Sequence, residues 1–210
     1  MVKAVIFDID GVLLDSFEAN LKFFQNLFKK TGYTPPTKEQ FKTLFHITMW
    51  DVIKKVTKLS SDEEIQKIWE MGKSRAVEYP HHLLVIPEKV EETLQSLSKN
   101  YLLGIVTSRV KESVYEVPAL SKLRKYFSAT ISYQDTKRHK PHPEPLLLAC
   151  KKLKVNPGDS VYVGDVENDI IAGKAAGMKT ILFSQNKIGN PDMSTSKFEE
   201  IPNLIKKLNV

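Results

Sequence analysis

The sequence feature that most constrains the fold is a short apolar run, residues 5–7, that stops at a pair of acids. Runs of β-branched and aromatic residues predict a buried strand. Asp8 and Asp10 follow two residues apart, so their side chains share one side of an extended backbone, and Gly11 then permits a sharp turn. Carboxylates this close repel each other unless a cation or a shared proton intervenes. The pattern fits a metal-dependent site at a strand end, and it also fits a solvated acidic turn.

Two further apolar runs resemble the first. Residues 102–106 are followed by Thr107, and residues 161–164 are followed by Asp165. Helical patterns separate the runs, and this alternation predicts an α/β fold in which helices cover both faces of a parallel sheet. In such sheets the ligand lies beyond the carboxyl ends of the strands. Three strands therefore deliver polar side chains to the edge where function is expected.

The outer parts of the sheet are less strongly patterned. Residues 129–132 and 180–183 are weaker strand candidates, and helical spacing covers residues 88–100, with Pro87 in the first turn. Residues 185–195 are predicted to form a polar loop before a final helix.

Residues 16–82 do not follow the alternation. A connection between a strand and a helix is normally a few residues long, so an insertion of this size must carry structure of its own. Apolar residues recur in it at helical spacing, and Thr37 with Gln40 forms a capping-box pattern. We therefore predict a Rossmann-like core of residues 1–15 and 83–210, and an all-helical insertion beside the functional edge.

Composition narrows the class of protein. The 210-residue chain has no apolar run of membrane-spanning length and no signal-peptide layout, so we expect a cytoplasmic protein with no membrane partner. A single cysteine, Cys150, permits no internal disulfide and fits a reducing compartment. The net charge of +6 would suit nucleic acid, but the lysines are dispersed and alternate with glutamates. This dispersal predicts a solvated surface and no nucleic-acid partner.

Four stretches, taken in order, resemble the motifs of the haloacid dehalogenase superfamily. They are residues 8–12, Thr107 with Ser108, residues 140–145, and residues 164–169. The helical insertion after the first motif is similar to that of the helical-cap subgroup, which includes the phosphoglycolate phosphatases. The resemblance covers nearly the whole chain and is weakest in the cap and near the end.

The resemblance implies roles for individual residues. Asp8 would be the nucleophile that forms an aspartyl-phosphate, and Asp10 would act as general acid and then as general base. Thr107, Ser108 and Lys140 would bind the transferring phosphoryl oxygens.

Mg²⁺ is the cofactor that the resemblance implies. Asp8, the backbone carbonyl of Asp10, and Asp165 would hold the ion, with Asp169 either binding it directly or supporting its ligands. Asp169 is also placed to cap the helix that follows it, so both of its roles stay open.

The implied function is that of a Mg²⁺-dependent phosphatase of small phosphorylated metabolites, similar to phosphoglycolate phosphatase. The alternative is a mutase of the β-phosphoglucomutase type, whose members carry a histidine early in the cap, where this chain has Asn20. Dehalogenase members lack an acid at the position of Asp10. A catalytically idle protein that binds nucleic acid through its basic surface is a third class, against which the intact acidic set argues. The chain would be a monomer or a homodimer, and phosphoglycolate, a sugar phosphate, a nucleotide and pyrophosphate stay open as substrates.

Several other residues invite a functional reading. Residues 46–50 fall where relatives place a substrate-reading loop, so Trp50 either faces the substrate or is a packed aromatic. Cys150 lies in an apolar helical stripe and is predicted to be core. His139 and His142, which flank the candidate lysine, are predicted to be loop residues and not ligands.

Overall fold

The computed structural model describes residues 1–45 and 47–209, and the chain divides into two compact units. The larger unit comprises Met1–Asp15 and Ile86–Val210, and the smaller unit comprises Ser16–Val85. His46, the first residue of the predicted substrate-reading loop, lies outside the described residues.

The larger unit is built on a six-stranded parallel sheet. Its strands are β1 (Ala4–Phe7), β2 (Leu102–Val106), β3 (Ala129–Ile131), β4 (Ser160–Gly164), β5 (Lys179–Phe183) and β6 (Met193–Thr195). Their order across the sheet is β3-β2-β1-β4-β5-β6. The predicted α/β class with a parallel sheet is therefore confirmed. All four residues of β1 are buried, which explains why its sequence is a continuous apolar run and does not alternate.

One strand forms where we predicted only a polar loop. Residues 193–195 pair with β5 as a short edge strand, so the predicted loop over residues 185–195 was wrong at its end. The Asp192 carboxylate accepts hydrogen bonds from the Thr180 backbone N–H and hydroxyl, at 2.7 and 2.8 Å. These bonds hold a polar segment against the sheet, and the local sequence carries no sign of them.

The smaller unit is helical, as predicted for the insertion. Its helices are α1 (Phe17–Lys30), α2 (Lys38–Lys42), α3 (Met49–Thr57) and α4 (Asp62–Lys73). Aromatic rings from α1 form much of its core: the centroid of Phe24 lies 5.5 Å from that of Phe41, and Phe23 lies 5.5 Å from Tyr79. Trp50 is half-buried in the first turn of α3.

The capping pattern at Thr37 is realised. The Thr37 hydroxyl accepts from the Gln40 backbone N–H at 3.2 Å, and the Gln40 side-chain oxygen accepts from the Thr37 backbone N–H at 2.9 Å. Two donors at the start of a helix are satisfied reciprocally, which fixes where α2 begins.

Helices cover both faces of the sheet. They are α5 (Val90–Leu97), α6 (Lys111–Val114), α7 (Pro118–Leu123), α8 (Glu144–Leu153), α9 (Glu167–Ala175) and α10 (Ile201–Leu208). One face packs on buried residues of α8 and α9, including Cys150, which is core as predicted. On the other face Phe7 stacks on Phe198, just before α10, with ring centroids 5.8 Å apart.

The predicted start of α5 was wrong. The helix begins at Val90 and not around Pro87, because Lys89 adopts a left-handed conformation, with φ of 64°. A residue in that conformation cannot continue a right-handed helix. Among the residues that the structure describes, no helix has the length and apolar character to cross a bilayer.

Candidate active site

The sheet brings three polar strand ends to one edge. In the register of the sheet, Phe7 of β1 lies beside Ile105 of β2 and Val163 of β4. Asp8 and Asp165 follow the ends of β1 and β4, and Thr107 follows the end of β2. The arrangement expected from the apolar runs is therefore the one observed.

The chain turns sharply after Asp8, which is 7% exposed. The Asp8 backbone N–H donates to the Val163 carbonyl at 2.9 Å, and the Ile9 N–H donates to Asp8 Oδ1 at 2.7 Å. Gly11 has φ of 81°, and a Cβ placed there would lie 2.0 Å from Asp165 Oδ2. Only glycine at this position lets the Asp165 carboxylate lie against the turn.

Lys140 lies at the centre of the acidic residues. Its ammonium nitrogen is 2.7 Å from Asp8 Oδ2, 2.8 Å from Asp169 Oδ1 and 3.0 Å from the Tyr162 hydroxyl. Three acceptors match the three donors of an ammonium group. Burial would lower the pKa of Lys140, but the charges of Asp169 and Asp8 outweigh it and hold the pKa well above its ordinary value. The lysine is therefore a fixed cation beside Asp8.

Asp169 is fully buried, and both of its oxygens accept hydrogen bonds. Oδ2 accepts the backbone N–H groups of Asp165 and Val166, at 3.1 and 3.4 Å, so Asp169 caps α9. Oδ1 accepts from Lys140 and from the Tyr162 hydroxyl, the latter at 3.1 Å. Two donors at each oxygen fill the usual acceptor positions of a carboxylate.

Three carboxylates converge beside this lysine. Asp8, Asp165 and Asp169 each place an oxygen within 4.8 Å of the others. Burial, followed by the charges of Asp169 and Asp10, raises the pKa of Asp8 to about 7, although Lys140 opposes the shift. Burial and the charges of Asp169 and Asp8 raise the pKa of Asp165 well above its ordinary value. Groups that resist ionisation together fit a site that holds a cation.

The end of β2 supplies the candidate phosphate ligands. Thr107 is buried, and its backbone N–H donates to the Ile131 carbonyl at 3.0 Å. Its hydroxyl accepts a hydrogen bond from the Arg109 backbone N–H at 3.2 Å. This bond spans the half-buried Ser108 and fixes the turn that carries it.

Arg109 is a site residue that we did not predict. Its guanidinium donates two hydrogen bonds to the Asp10 carboxylate, Nε to Oδ2 at 2.9 Å and Nη2 to Oδ1 at 2.7 Å. The one signal in the sequence was a basic residue directly after Thr107 and Ser108. Tyr162 was missed as well, because its place in an apolar strand gave no sign that its hydroxyl reaches Lys140.

The two histidines near Lys140 lie in the loop before α8, as predicted. The His139 ring stacks on Tyr133, with centroids 4.1 Å apart, and His142 Nδ1 accepts the Glu144 backbone N–H at 3.1 Å. Within the smaller unit, Asn20 bonds to the hydroxyls of Ser16 and Tyr79, at 3.2 and 2.7 Å.

Comparison with known proteins gives a consistent result. The family model described as haloacid dehalogenase-like hydrolase matches residues 5–183. A relative from Clostridium perfringens (strain 13 / Type A), named "Putative pyrophosphatase PpaX", is 33% identical over 220 residues, and the match covers 100% of each chain. The structure of a HAD-superfamily hydrolase, subfamily IA, variant 1, from Geobacter sulfurreducens PCA is 28% identical, with a TM-score of 0.71, and covers 97% of this chain and 96% of that one. A predicted phosphoglycolate phosphatase from Haemophilus somnus 129pt has a TM-score of 0.80 at 21% identity, over 97% and 98% of the two chains, and supports the fold alone.

The crowding of carboxylates predicts how stability depends on pH. A raised pKa means that the folded protein binds a proton at Asp165 more readily than the unfolded chain does. The contribution of Asp165 to the free energy of unfolding therefore falls as pH rises above 3.8, the ordinary pKa of an aspartate. In chelator at neutral pH, Asp165→Asn should raise the melting temperature by a few degrees and flatten its dependence on pH. Thermal unfolding between about pH 4 and pH 8 measures both effects.

The matched control for this measurement is Asp62→Asn, the same chemical change at an exposed residue of the smaller unit. That substitution should not raise the melting temperature. An Asp165→Asn protein that melts below the wild type in chelator would contradict the prediction.

Proposed function

The chain belongs to the haloacid dehalogenase-like hydrolases, and we propose that it is a Mg²⁺-dependent phosphatase that hydrolyses small phosphate monoesters through an aspartyl-phosphate on Asp8. The observation that carries the proposal is the position of Lys140, whose ammonium lies 2.7 Å from Asp8 Oδ2 beside two further carboxylates. A fixed cation beside a buried carboxylate is what the transfer of a phosphoryl group to that carboxylate requires.

The charges of the site support a divalent cation. Asp8, Asp10, Asp165 and Asp169 carry four negative charges when ionised, and Lys140 and Arg109 pair with this cluster. Two of the four charges are thereby balanced, and a divalent ion would balance the other two. Carboxylate oxygens are the ligands that Mg²⁺ prefers.

Within this set we propose Asp8, Asp165 and the backbone carbonyl of Asp10 as the groups that would hold Mg²⁺. Asp169 would support them, because its oxygens already accept from Lys140, Tyr162 and two backbone N–H groups. When bound, Mg²⁺ supplies positive charge that neutralises the phosphoryl oxygens.

In the first step we propose that a carboxylate oxygen of Asp8 attacks the phosphorus atom. The bond from phosphorus to the ester oxygen breaks, and its electron pair stays on that oxygen, which takes a proton from the Asp10 carboxyl group. Thr107, Ser108 and Lys140 bind the transferring oxygens. Lys140 already contacts Asp8 and so lies within reach of a group that is bonded to it.

In the second step a water molecule attacks the same phosphorus atom and gives a proton to the Asp10 carboxylate. The bond between phosphorus and the Asp8 oxygen breaks, its electron pair returns to Asp8, and inorganic phosphate leaves. Asp10 regains its proton and Asp8 its charge, so the cycle is closed. Splitting one displacement into two is useful because the hydrolysis of monoesters is among the slowest uncatalysed reactions.

We further propose that the smaller unit, Ser16–Val85, is the cap that selects the substrate, a small phosphorylated metabolite. A helical unit inserted directly after the nucleophile loop is suited to exclude water from the reaction. The cytoplasm and a monomer or homodimer remain our proposals for location and assembly. The name of the Clostridium relative adds weight to pyrophosphate, so pyrophosphate and phosphoglycolate are the first substrates to test.

The nucleophile is tested by Asp8→Asn. The change is nearly isosteric, but an amide is a far poorer nucleophile and metal ligand than a carboxylate, so phosphate release should collapse while the fold is kept. Release of inorganic phosphate and a thermal melt measure the two effects, with Asp62→Asn as the control that should retain activity. A purified Asp8→Asn protein with substantial wild-type turnover would contradict the assignment.

The metal is tested by removing and exchanging it. Excess chelator should abolish hydrolysis, and Mg²⁺ should restore it. Ca²⁺ should inhibit, because its larger and looser coordination shell tolerates poor geometry for in-line attack. Full activity in chelator, with the protein still folded by circular dichroism, would count against a metal-dependent mechanism.

The mutase alternative is tested by product analysis. Asn20 stands where mutases of the β-phosphoglucomutase type carry a histidine, and an amide does not change its charge near neutral pH. We therefore expect inorganic phosphate from phosphoglycolate or pyrophosphate, and no conversion of β-glucose 1-phosphate into glucose 6-phosphate. If a bisphosphate-primed assay formed glucose 6-phosphate faster than free phosphate, the mutase alternative would replace the phosphatase.

A further inference from the structure

We infer that Arg109 is a positioning residue for catalysis, because its guanidinium holds the Asp10 carboxylate in the orientation from which it exchanges a proton with the substrate. The inference rests on the proposed phosphatase function and adds a residue to which that mechanism gives no role. The bidentate pair, with hydrogen bonds of 2.9 and 2.7 Å, joins two residues 99 positions apart in the chain.

The pair restrains the carboxylate in two directions. Nε and Nη2 belong to one rigid plane, and each binds a different oxygen of Asp10. A carboxylate held by such a fork cannot rotate about its own axis without breaking both bonds. A lysine at the same position would supply the charge as a point and would leave that rotation free.

Arg109 is itself anchored. Its backbone N–H donates to the Thr107 hydroxyl at 3.2 Å, and its carbonyl accepts the Tyr133 backbone N–H at 2.9 Å. The third guanidinium nitrogen, Nη1, is 3.5 Å from the Ser113 carbonyl in α6. The side chain is only 8% exposed. Because Arg109 is held both at its backbone and at its guanidinium, it can keep the Asp10 carboxylate in a fixed position.

A contribution to stability alone does not account for the pair. Buried ion pairs are weak devices for stability, because the cost of removing two charges from water offsets their attraction. This pair also lies in the strand-end loops that carry Asp8 and Thr107. Its placement fits a role in the reaction, since Asp10 must meet the ester oxygen in one particular geometry for proton transfer.

The test compares two substrates that differ in how much they need a proton. The aryl oxygen of p-nitrophenyl phosphate is a weak base and leaves readily without one, whereas the alkoxide oxygen of phosphoglycolate is a strong base and needs one. With Mg²⁺ present, kcat/KM reports on the steps up to release of the alcohol or phenol, before Asp10 acts as base on the aspartyl-phosphate. Arg109→Gln should lower kcat/KM for phosphoglycolate by roughly 10²-fold, the lower end of what general acid catalysis contributes. The kcat/KM for p-nitrophenyl phosphate should change only a few-fold, whereas kcat should fall for both esters, because the second step is common to them.

Three further comparisons sharpen the test. Arg109→Lys should recover part of the loss on phosphoglycolate, because it returns the charge without the fork. Arg124→Gln makes the same chemical change at an exposed arginine outside the site and should alter neither rate. In an Asp10→Asn background, Arg109→Gln should have almost no additional effect on p-nitrophenyl phosphate, since the group it positions is gone.

The outcomes separate the two proposals. A wild-type protein that hydrolyses neither ester overturns the proposed hydrolysis of phosphate monoesters, and the positioning role with it. A wild type that hydrolyses both esters, with Arg109→Gln lowering kcat/KM for the two esters equally, overturns the positioning role alone. The positioning role is also overturned if Arg109→Gln lowers kcat for p-nitrophenyl phosphate by the same factor in the Asp10→Asn background as in the wild type. Retained hydrolysis of the aryl ester by the variant also shows that it is folded.

Discussion

The candidate site depends on one ammonium group placed among buried carboxylates. Lys140 contacts Asp8, Asp169 and the Tyr162 hydroxyl within 3.0 Å, and it opposes the burial and the mutual repulsion that raise the pKa values of Asp8 and Asp165. Without it, the carboxylates would take up protons or move apart. The same interaction ties the loop after β1, the loop before α8 and the start of α9 to one point.

Backbone geometry lets the carboxylates come so close. A Cβ on Gly11 would collide with the Asp165 carboxylate, and a Cβ on Gly164 would lie 2.2 Å from Asp169 Cβ. A methyl group at either position would push an acid out of the cluster. The stability of the surrounding sheet offsets the repulsion between the carboxylates. In that sheet β1 is buried on both faces and lies between β2 and β4.

Two ion pairs divide the site into two halves. Lys140 holds Asp8, the proposed nucleophile, and Arg109 holds Asp10, the proposed acid and base. An ammonium binds as a point charge, which leaves Asp8 able to accept a phosphoryl group, whereas a guanidinium fork fixes orientation. The choice of cation thus matches the task of each acid: one must form and break a bond, and the other must transfer a proton along a defined direction.

The sequence by itself determined the parts of this protein that follow from local pattern. Continuous apolar runs predicted the central strands, and the polar residue after each run placed Asp8, Thr107 and Asp165 at one edge, because the carboxyl ends of parallel strands share an edge. The edge strand β6 and the start of α5 were mispredicted, since they depend on the Asp192–Thr180 hydrogen bonds and on the left-handed Lys89. Only the tertiary structure decided that Arg109 grips Asp10 and that Tyr162 reaches Lys140 from within an apolar strand. These contacts join residues far apart in the chain, and their geometry comes from the register of the sheet and the paths of the loops, which no local pattern encodes.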